Sequence, residues 1–432
     1  MKVVVLVDGE HHPPVVRAAI DHLRAGGDDV VAGVHCGGTE KLGTGDLSDA
    51  YGVGVERGAP AHELLSRVLE RERPDAVVDL SDEPVLGPVE RFRLAALTLY
   101  RGAEYLGPDF RLEPVRFADV LTKPSVAVFA TAKRTGKTAV AGALARRAVE
   151  RGRHPVIVAM GRGGPPEPVV LEVGTGLDVH ALVAMADAGR HAASDYVEDA
   201  LTSRVTTIGC RRVGGGLAGV PFLSTVAEGA RLAEQRPEDL VIVEGSGAVV
   251  PPVGTAVRVV CVPATTPPDV LGGYLNPYRL LLADVAVVTI AEERTAAAQV
   301  EAALRQLSPG IEVLRTTFRP KPLTTVAGRR VFFCCTAPPD AGPVLRKHLE
   351  RTYGCEVVGM SHHLSEPAVL VDELRGAPDH DVVLTELKAA AVEVASRSAL
   401  QAGHEVAFAD NALHGEGVDE ALDRILTASG AG

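Results

Sequence analysis

The residues of this chain that are best suited to chemistry lie in one short loop, TAKRTGKT, which ends in Gly136, Lys137 and Thr138. That ending is the second half of the phosphate-loop pattern GxxxxGK(S/T), in which backbone N–H groups surround the phosphates, the lysine reaches the β- and γ-phosphates and the hydroxyl binds Mg²⁺. Thr131 departs from the pattern, which has glycine at its first position. The loop is predicted to bind a nucleotide through Thr131, Ala132, Lys133, Arg134, Thr135, Gly136, Lys137 and Thr138.

The flanking sequence supplies the strand and the helix that such a loop needs. The apolar run VAVFA precedes the loop, and Val140, Leu144 and Ala148 share one face of the helix that follows it. The alternative is a plain strand-to-helix turn with a surface lysine. That alternative explains a glycine but not three cationic side chains within one turn. We therefore predict catalytic roles for Lys137 and Lys133 at the transferred phosphate.

A carboxylate follows another apolar strand, in the segment LVIVEGSGA at residues 240–248. The carboxyl ends of the strands are the edge at which open α/β sheets bind ligands, and a P-loop enzyme places there the acid that holds or orients Mg²⁺. Glu244 is therefore predicted to act in catalysis and to bind the metal together with Thr138. The alternative is a glutamate that only begins a surface turn.

Two glycine-rich segments with arginines are candidates for binding the phosphates of a substrate. Arg162 lies in MGRGG after a predicted strand, and Arg211 and Arg212 precede the glycines of CRRVGGGLAG. Guanidinium groups bind phosphate oxygens through pairs of hydrogen bonds, which favours a substrate-binding role for all three arginines. Solvated turns are the alternative, and for Arg162 the two interpretations are equally supported.

The N-terminal segment DGEHHPP, residues 8–14, follows the first predicted strand at the ligand edge of an open sheet. His11 and His12 are predicted to contact an anion of the substrate or to relay a proton. A capping turn is the alternative.

Other features decide between classes of ligand. His362 and His363 are adjacent and no third ligand stands at a helical offset, so a metal site made of protein side chains alone is not expected. The guanine-reading motif NKxD is absent from the sequence, so ATP is expected rather than GTP.

Composition limits the partners and the compartment. The 432 residues carry a formal net charge of -12, which disfavours nucleic acid or an anionic membrane as the main partner. The six cysteines show no CxxC spacing and are predicted to be buried, reduced thiols. No segment resembles a signal peptide or reaches the length of a membrane span, so a soluble, cytoplasmic protein is expected.

The order of elements predicts the fold. Short Val-rich strands alternate with amphipathic helices, which is typical of parallel α/β sheets. We predict a P-loop nucleotide-binding domain at 123–322, flanked by an N-terminal α/β domain at 1–122 and a C-terminal α/β unit at 323–432. Within the P-loop domain, strands are predicted at 126–130, 155–160, 240–244, 257–262, 284–290 and 311–314. Residues 318–322 are predicted to be a short Pro-rich link.

Four segments together resemble the cyclic 2,3-diphosphoglycerate synthetase family: VVVLVDGEHHPP, TAKRTGKT, VEGSGA and FRPKPLTTVAGRRVFFCCTAP. The resemblance covers essentially the whole chain. The P-loop domain is also similar to that of dethiobiotin synthetase, whose family closes a ring after ATP phosphorylates an oxyanion. By resemblance, Lys137 carries over as the phosphate-binding lysine, Thr138 as a magnesium ligand and Glu244 as the acidic metal ligand.

The resemblance implies an ATP- and Mg²⁺-dependent ligase that closes 2,3-diphosphoglycerate to its cyclic form and releases ADP and phosphate. Closure of the N-terminal domain over the P-loop domain is expected to exclude water from the reaction. Two alternatives stay open: another P-loop kinase or ATP-dependent ligase acting on a phosphorylated acid, and a nucleotide-switch or metal-chaperone ATPase. The expected partner is a small phosphorylated molecule, and a homodimer is one assembly that the sequence permits.

Overall fold

The computed structural model describes residues 1–42 and 46–431, and these residues form three α/β units in chain order. Each unit has a mostly parallel sheet whose central strands are almost completely buried. Parallel sheets covered on both faces favour continuous runs of valine, isoleucine and leucine, which is the pattern that the sequence shows. The predicted α/β class is therefore confirmed. No helix in the described ranges is long and apolar enough to cross a membrane.

The first unit is a sheet of six strands, counted over the described residues. Its strands are β1 (Lys2–Val7), β2 (Asp29–His35), β3 (Val55–Glu56), β4 (Ala76–Asp79), β5 (Glu104–Gly107) and β6 (Phe110–Leu112). Its helices are α1 (Pro13–Ala25), α2 (Leu47–Tyr51), α3 (Ala61–Glu72) and α4 (Pro88–Tyr100). The strands lie in the order β3-β2-β1-β4-β5-β6, and only β6 runs antiparallel to its neighbour.

The second unit contains the predicted phosphate loop. Its strands are β7 (Ser125–Ala130), β8 (Pro155–Gly161), β9 (Val169–Leu171), β10 (Thr206–Val213), β11 (Leu223–Ser224), β12 (Leu240–Glu244), β13 (Val257–Pro263), β14 (Val285–Thr289) and β15 (Glu312–Arg315). Its helices are α5 (Lys137–Glu150), α6 (Val179–Asp187), α7 (Asp195–Ser203), α8 (Val226–Gln235), α9 (Pro268–Gly272), α10 (Asn276–Leu282) and α11 (Arg294–Leu307). The main strand order is β11-β10-β8-β12-β7-β13-β14-β15. The strand before the loop, β7, therefore lies inside the sheet between β12 and β13.

The third unit is a smaller sheet in the order β16-β20-β19-β17-β18. Its strands are β16 (Thr317–Pro322), β17 (Arg330–Cys334), β18 (Glu356–Ser361), β19 (Val382–Glu386) and β20 (Glu405–His414). Its α-helices are α12 (Gly342–Tyr353), α13 (Pro367–Arg375), α14 (Arg397–Ala402) and α15 (Val418–Leu426), with a 3-10 turn at Pro339–Ala341 and π-helical turns at Ala391–Ser396 and Thr427–Ala431.

Two predictions about local structure are wrong. Residues 318–322 are not a link, because they belong to β16, which pairs antiparallel with β20. β16 is an edge strand, where the missing N–H groups of Pro320 and Pro322 break no ladder inside the sheet. The strand β10 was not predicted, and Arg211 and Arg212 lie in this strand rather than in the glycine-rich turn after it. The division at 122 and 322 stays a prediction.

An apolar cluster joins the third unit to helix α5, which follows the predicted phosphate loop. Val140 and Leu144 of α5 are fully buried in the same apolar cluster as Leu422 and Ile425 of α15. On the other side, helices α3 and α4 of the first unit share a cluster with α10 and α11. Helix α5 is therefore packed between its own sheet and the third unit.

Candidate active site

The loop between β7 and α5 has the geometry of an anion-binding turn. Gly136 has φ 85°, in the left-handed region, and a Cβ atom there would collide with the ring of Phe318. Only glycine meets both conditions. Lys137 is the first residue of α5, so the backbone N–H groups of the first helical turn have no partner within the helix. These N–H groups and the positive end of the helix dipole favour a phosphate at this point.

The structure places Thr138 and Glu244 together, as the sequence predicted. The Thr138 hydroxyl donates to Glu244 Oε1 over 2.7 Å. The pairing of β12 with β7 brings the two side chains close, because Glu244 at the end of β12 lies beside Val128 of β7. The second oxygen of Glu244, Oε2, is buried and has no hydrogen-bond partner among the described residues. Burial raises the pKa of Glu244, and the nearby Lys137 ammonium opposes that shift.

Asp199 is a further carboxylate at this position, and the sequence analysis did not select it. It lies on α7, is fully buried, and has no hydrogen-bond donor to either oxygen among the described residues. Burial and the neighbouring Glu244 raise its pKa well above the ordinary value. Asp195, four residues earlier, faces the same side of the helix. That spacing of two acids in DYVED was the available signal, but it is also common on solvated helices.

These oxygen atoms fit a magnesium ion. Two buried carboxyl groups, Asp199 and Glu244, lie against each other with no donor between them, an arrangement that is costly unless a cation or a proton intervenes. No three His, Cys, Asp or Glu side chains converge on one point in the described part of the chain. Mg²⁺ does not require such a cage, because it commonly takes one or two carboxylates and completes its shell with phosphates and water. In a P-loop site the hydroxyl at the position of Thr138 is a magnesium ligand.

Four cationic side chains, two of them in the loop itself, form what we call the cationic group. Lys133, Arg134 and Arg162 are exposed, and Arg212 is buried. Arg162 is the main cause that lowers the pKa of Lys133, with burial and Arg134 adding to it, while Asp195 opposes. Burial, followed by Arg162, lowers the pKa of Arg212. Cations that destabilise one another in this way are suited to binding an anion with several charges.

The two adjacent arginines of β10 have different hydrogen-bond partners, and their predicted binding of substrate stays a prediction. Successive side chains of a strand point to opposite faces, and the contacts of Arg211 and Arg212 differ accordingly. Arg212 donates to the carbonyl oxygens of Gly214 and Ser246 over 3.0 and 3.1 Å, and its Nε has no partner among the described residues. Arg211 instead donates to the Gly164 carbonyl over 3.3 and 3.4 Å. Arg212 belongs to the cationic group, whereas Arg211 fixes the loop that carries Arg162.

Replacing Arg212 with alanine should raise the KM for the phosphorylated substrate about tenfold, since a charge-assisted contact is lost, and should raise the KM for ATP much less. Arg211→Ala is the matched comparison, with a smaller expected effect because its side chain points to the opposite face of β10 from Arg212. Steady-state kinetics with each substrate varied in turn measures both. An equal loss of affinity for ATP would assign Arg212 to the nucleotide site or to folding.

His11 and His12 are not brought to the phosphate loop by any hydrogen bond or ion pair of the described residues. His11 Nδ1 lies 2.8 Å from Asp8 Oδ1, and its Nε2 lies 3.4 Å from Asp82 Oδ2. The hydrogen bond with Asp8 raises the pKa of His11. Asp8 is fully buried and also accepts from the backbone N–H groups of Glu10 and Asp82. These contacts organise the turn before α1, and a role in substrate binding stays a prediction.

The chain matches three family models that together cover most of its length. Their descriptions are the N-terminal domain, the P-loop domain and the C-terminal domain of cyclic 2,3-diphosphoglycerate synthetase, at residues 2–113, 125–317 and 322–412.

Curated relatives of the same description match over nearly their full length. The cyclic 2,3-diphosphoglycerate synthetase of Rubrobacter xylanophilus is 46% identical over 439 residues, which cover 100% of this chain and 98% of that protein. The one of Methanothermus fervidus is 43% identical, covering 95% of this chain and 92% of that protein. The one of Thermococcus onnurineus is 46% identical, covering 94% of each.

Proposed function

The chain belongs to the cyclic 2,3-diphosphoglycerate synthetase family, and from this premise we propose how its residues carry out the reaction. It is an ATP-dependent enzyme of the ligase type that converts 2,3-diphosphoglycerate to cyclic 2,3-diphosphoglycerate and releases ADP and phosphate. The observation that carries the assignment of residues is the proximity of two unlike groups. Glu244 accepts from the Thr138 hydroxyl at the start of α5 and lies beside the buried Asp199, and Asp195 of the same helix as Asp199 is near Lys133 of the cationic group.

The chemistry explains why both groups are needed. Joining two phosphates of one molecule into an anhydride is unfavourable in water, so one phosphate first accepts a phosphoryl group and becomes an electrophile. The second phosphate then attacks it, the new P–O–P bond forms, and inorganic phosphate leaves. The phosphorus content of the product equals that of the substrate, and the γ-phosphorus of ATP ends as free phosphate.

The nucleotide half of the site is formed by the loop and α5. The backbone N–H groups of the first turn and Lys137 hold the nucleotide phosphates, with Lys137 and Lys133 at the phosphoryl group that moves. Thr138, Glu244 and Asp199 would hold the magnesium ion, which would neutralise negative charge at the transferred group. The buried position of the two acids keeps this point away from bulk water.

The substrate half is the cationic group. Arg162, Arg212, Arg134 and Lys133 face the negative charge of two phosphates and a carboxylate, and their mutual repulsion is relieved when the anion binds. Holding both phosphates against the nucleotide raises their effective concentration for each other. The position of these side chains in or next to the loop is the observation that supports their proposed roles.

The partner, location, assembly and domain movement of the enzyme are further parts of the proposal. The formal net charge of -12 supports a small-molecule rather than a nucleic-acid partner. A cytoplasmic location and a homodimer stay predictions. So does closure of the N-terminal domain over the loop; Phe318 of the third unit lies against Gly136 of the loop.

The distribution of phosphorus among the products tests the proposed reaction. With 2,3-diphosphoglycerate as substrate, ADP and inorganic phosphate should appear in equal amounts and only while this substrate is consumed. A kinase would release ADP without phosphate. A switch-type ATPase would release both while 2,3-diphosphoglycerate stayed intact.

A further inference from the structure

An ion pair crosses from the third unit to the acidic part of the active site. Lys388, which follows β19, places its Nζ 3.2 Å from Oε1 of Glu198 on α7. The exposed fractions of the two side chains are 29% and 11%, so the pair is mostly shielded from solvent. Glu198 directly precedes Asp199, the buried acid that lies beside Glu244. The third unit therefore reaches the helix that carries a proposed metal ligand.

Two other carboxylates near Lys388, Glu386 and Asp410, have partners of their own. Glu386, two residues earlier, already accepts from the backbone N–H and hydroxyl of Thr336 and from the amide of Asn411. Asp410 is paired with Arg146 at 3.1 Å. Among the described residues, Glu198 is thus the single ion-pair partner of Lys388.

The backbone turn at Lys388 orients its side chain toward Glu198. The next residue, Ala389, has φ 48°, in the left-handed region that alanine rarely adopts, and Ala391 N–H closes the turn by donating to the Lys388 carbonyl over 2.9 Å. The side chain before it, Leu387, is buried in the cluster that also contains α5 residues. An alanine in the left-handed region costs free energy and persists only where surrounding contacts determine its conformation. The turn is therefore a fixed element, and it presents the ammonium group of Lys388 to Glu198.

Helix α7 packs against β8, β10 and α5, and the ion pair adds a contact to the third unit. It has nine residues, and its acids Asp195, Glu198 and Asp199 all lie within two turns. Glu198 and Asp199 are both buried, so an unpaired charge at Glu198 would be unfavourable and would repel the neighbouring acids. Lys388, which belongs to the third unit, supplies the opposite charge and so lowers the free-energy cost of burying the Glu198 carboxylate.

We propose that Lys388 is a positioning residue of the active site: by binding Glu198 it holds α7 so that Asp199 faces Glu244 and Thr138 and completes the magnesium site. The inference rests on the proposed function, since it concerns the metal that this reaction uses. It assigns to the third unit a part in catalysis. Residues around a metal site that orient its ligands typically change metal affinity or activity by about 10–100-fold when they are removed.

The test measures metal binding directly. Lys388→Met keeps the length of the side chain and removes its charge, so titration of Mg²⁺ into the full-length protein with bound ADP should show affinity at least about tenfold weaker. Glu198→Gln should weaken affinity in the same direction, and Lys388→Arg should retain most of it. The last two variants decide the question if Lys388→Met does not fold.

Arg397→Met is the matched control. Arg397 also belongs to the third unit and pairs with Asp187 of α6 at 2.8 Å, but on the exposed surface. Its loss should leave magnesium affinity unchanged. The proposal is overturned if folded Lys388→Met binds Mg²⁺ normally, if Arg397→Met weakens binding as much, or if Lys388→Met raises only the KM for 2,3-diphosphoglycerate. A wild-type protein that binds magnesium with ADP but forms no cyclic product would contradict the proposed function and leave this inference intact.

Discussion

Replacing Lys137 with alanine should lower turnover by at least about a hundredfold and leave the protein folded, because a charge that stabilises the moving phosphoryl group is lost. Lys137 is half-buried as the first residue of α5 and lies outside the apolar cluster that contains Val140. The change therefore removes charge without opening the core. Initial rates at saturating substrates, together with thermal melting, measure both parts of the expectation.

A lysine outside the site provides the control for this variant. Lys347 is exposed on α12, and Lys347→Ala should leave turnover unchanged. Near-normal turnover of a folded Lys137→Ala protein would remove the phosphate-loop assignment. A variant that lost activity together with its melting transition would be assessed through Lys137→Met, which keeps the apolar part of the side chain.

Changing Glu244 to glutamine should lower turnover by about a hundredfold and shift the magnesium requirement upward. An amide keeps the hydrogen bond to Thr138 but supplies no negative charge to the metal, while ADP still binds through the loop backbone. Asp199→Asn should act in the same direction because its oxygens lie at the same point. Rates measured across a range of Mg²⁺ concentrations separate a loss of metal affinity from a loss of turnover.

The control for the acid variants is Glu416→Gln, at an exposed glutamate before α15. It should reproduce the magnesium curve of the unchanged protein. If Glu244→Gln also did so, Glu244 would be a structural residue that only holds the Thr138 hydroxyl.

The parts of the site that could be predicted from the sequence are those built by local order. A buried strand, a Gly-Lys-Thr loop and a helix follow one another directly, so the turn that presents Lys137 and Thr138 was recognisable. Glu244 was recognisable because an acid that ends a buried strand comes to the ligand edge of a parallel sheet. Both predictions needed only the alternation of strands and helices.

The remaining parts depend on contacts between distant segments. Asp199 is buried only because α7 packs against β8, β10 and α5, whereas its sequence spacing also suits a solvated helix face. The strand that carries Arg212 was missed because it contains Gly209, whose missing side chain makes room for the ring of Tyr196. The contribution of Lys388 could not be predicted, since nothing near it in sequence indicates that it meets α7.

The most direct test of the central claim is phosphorus NMR of the reaction with ATP, Mg²⁺ and 2,3-diphosphoglycerate. Ring closure predicts that the two phosphomonoester signals of the substrate disappear and that two mutually coupled anhydride signals replace them, with ADP and inorganic phosphate formed in equal amounts. A product with more phosphorus than the substrate and no free phosphate would contradict ring closure and identify a kinase. Free phosphate with unchanged substrate signals would identify an ATPase instead.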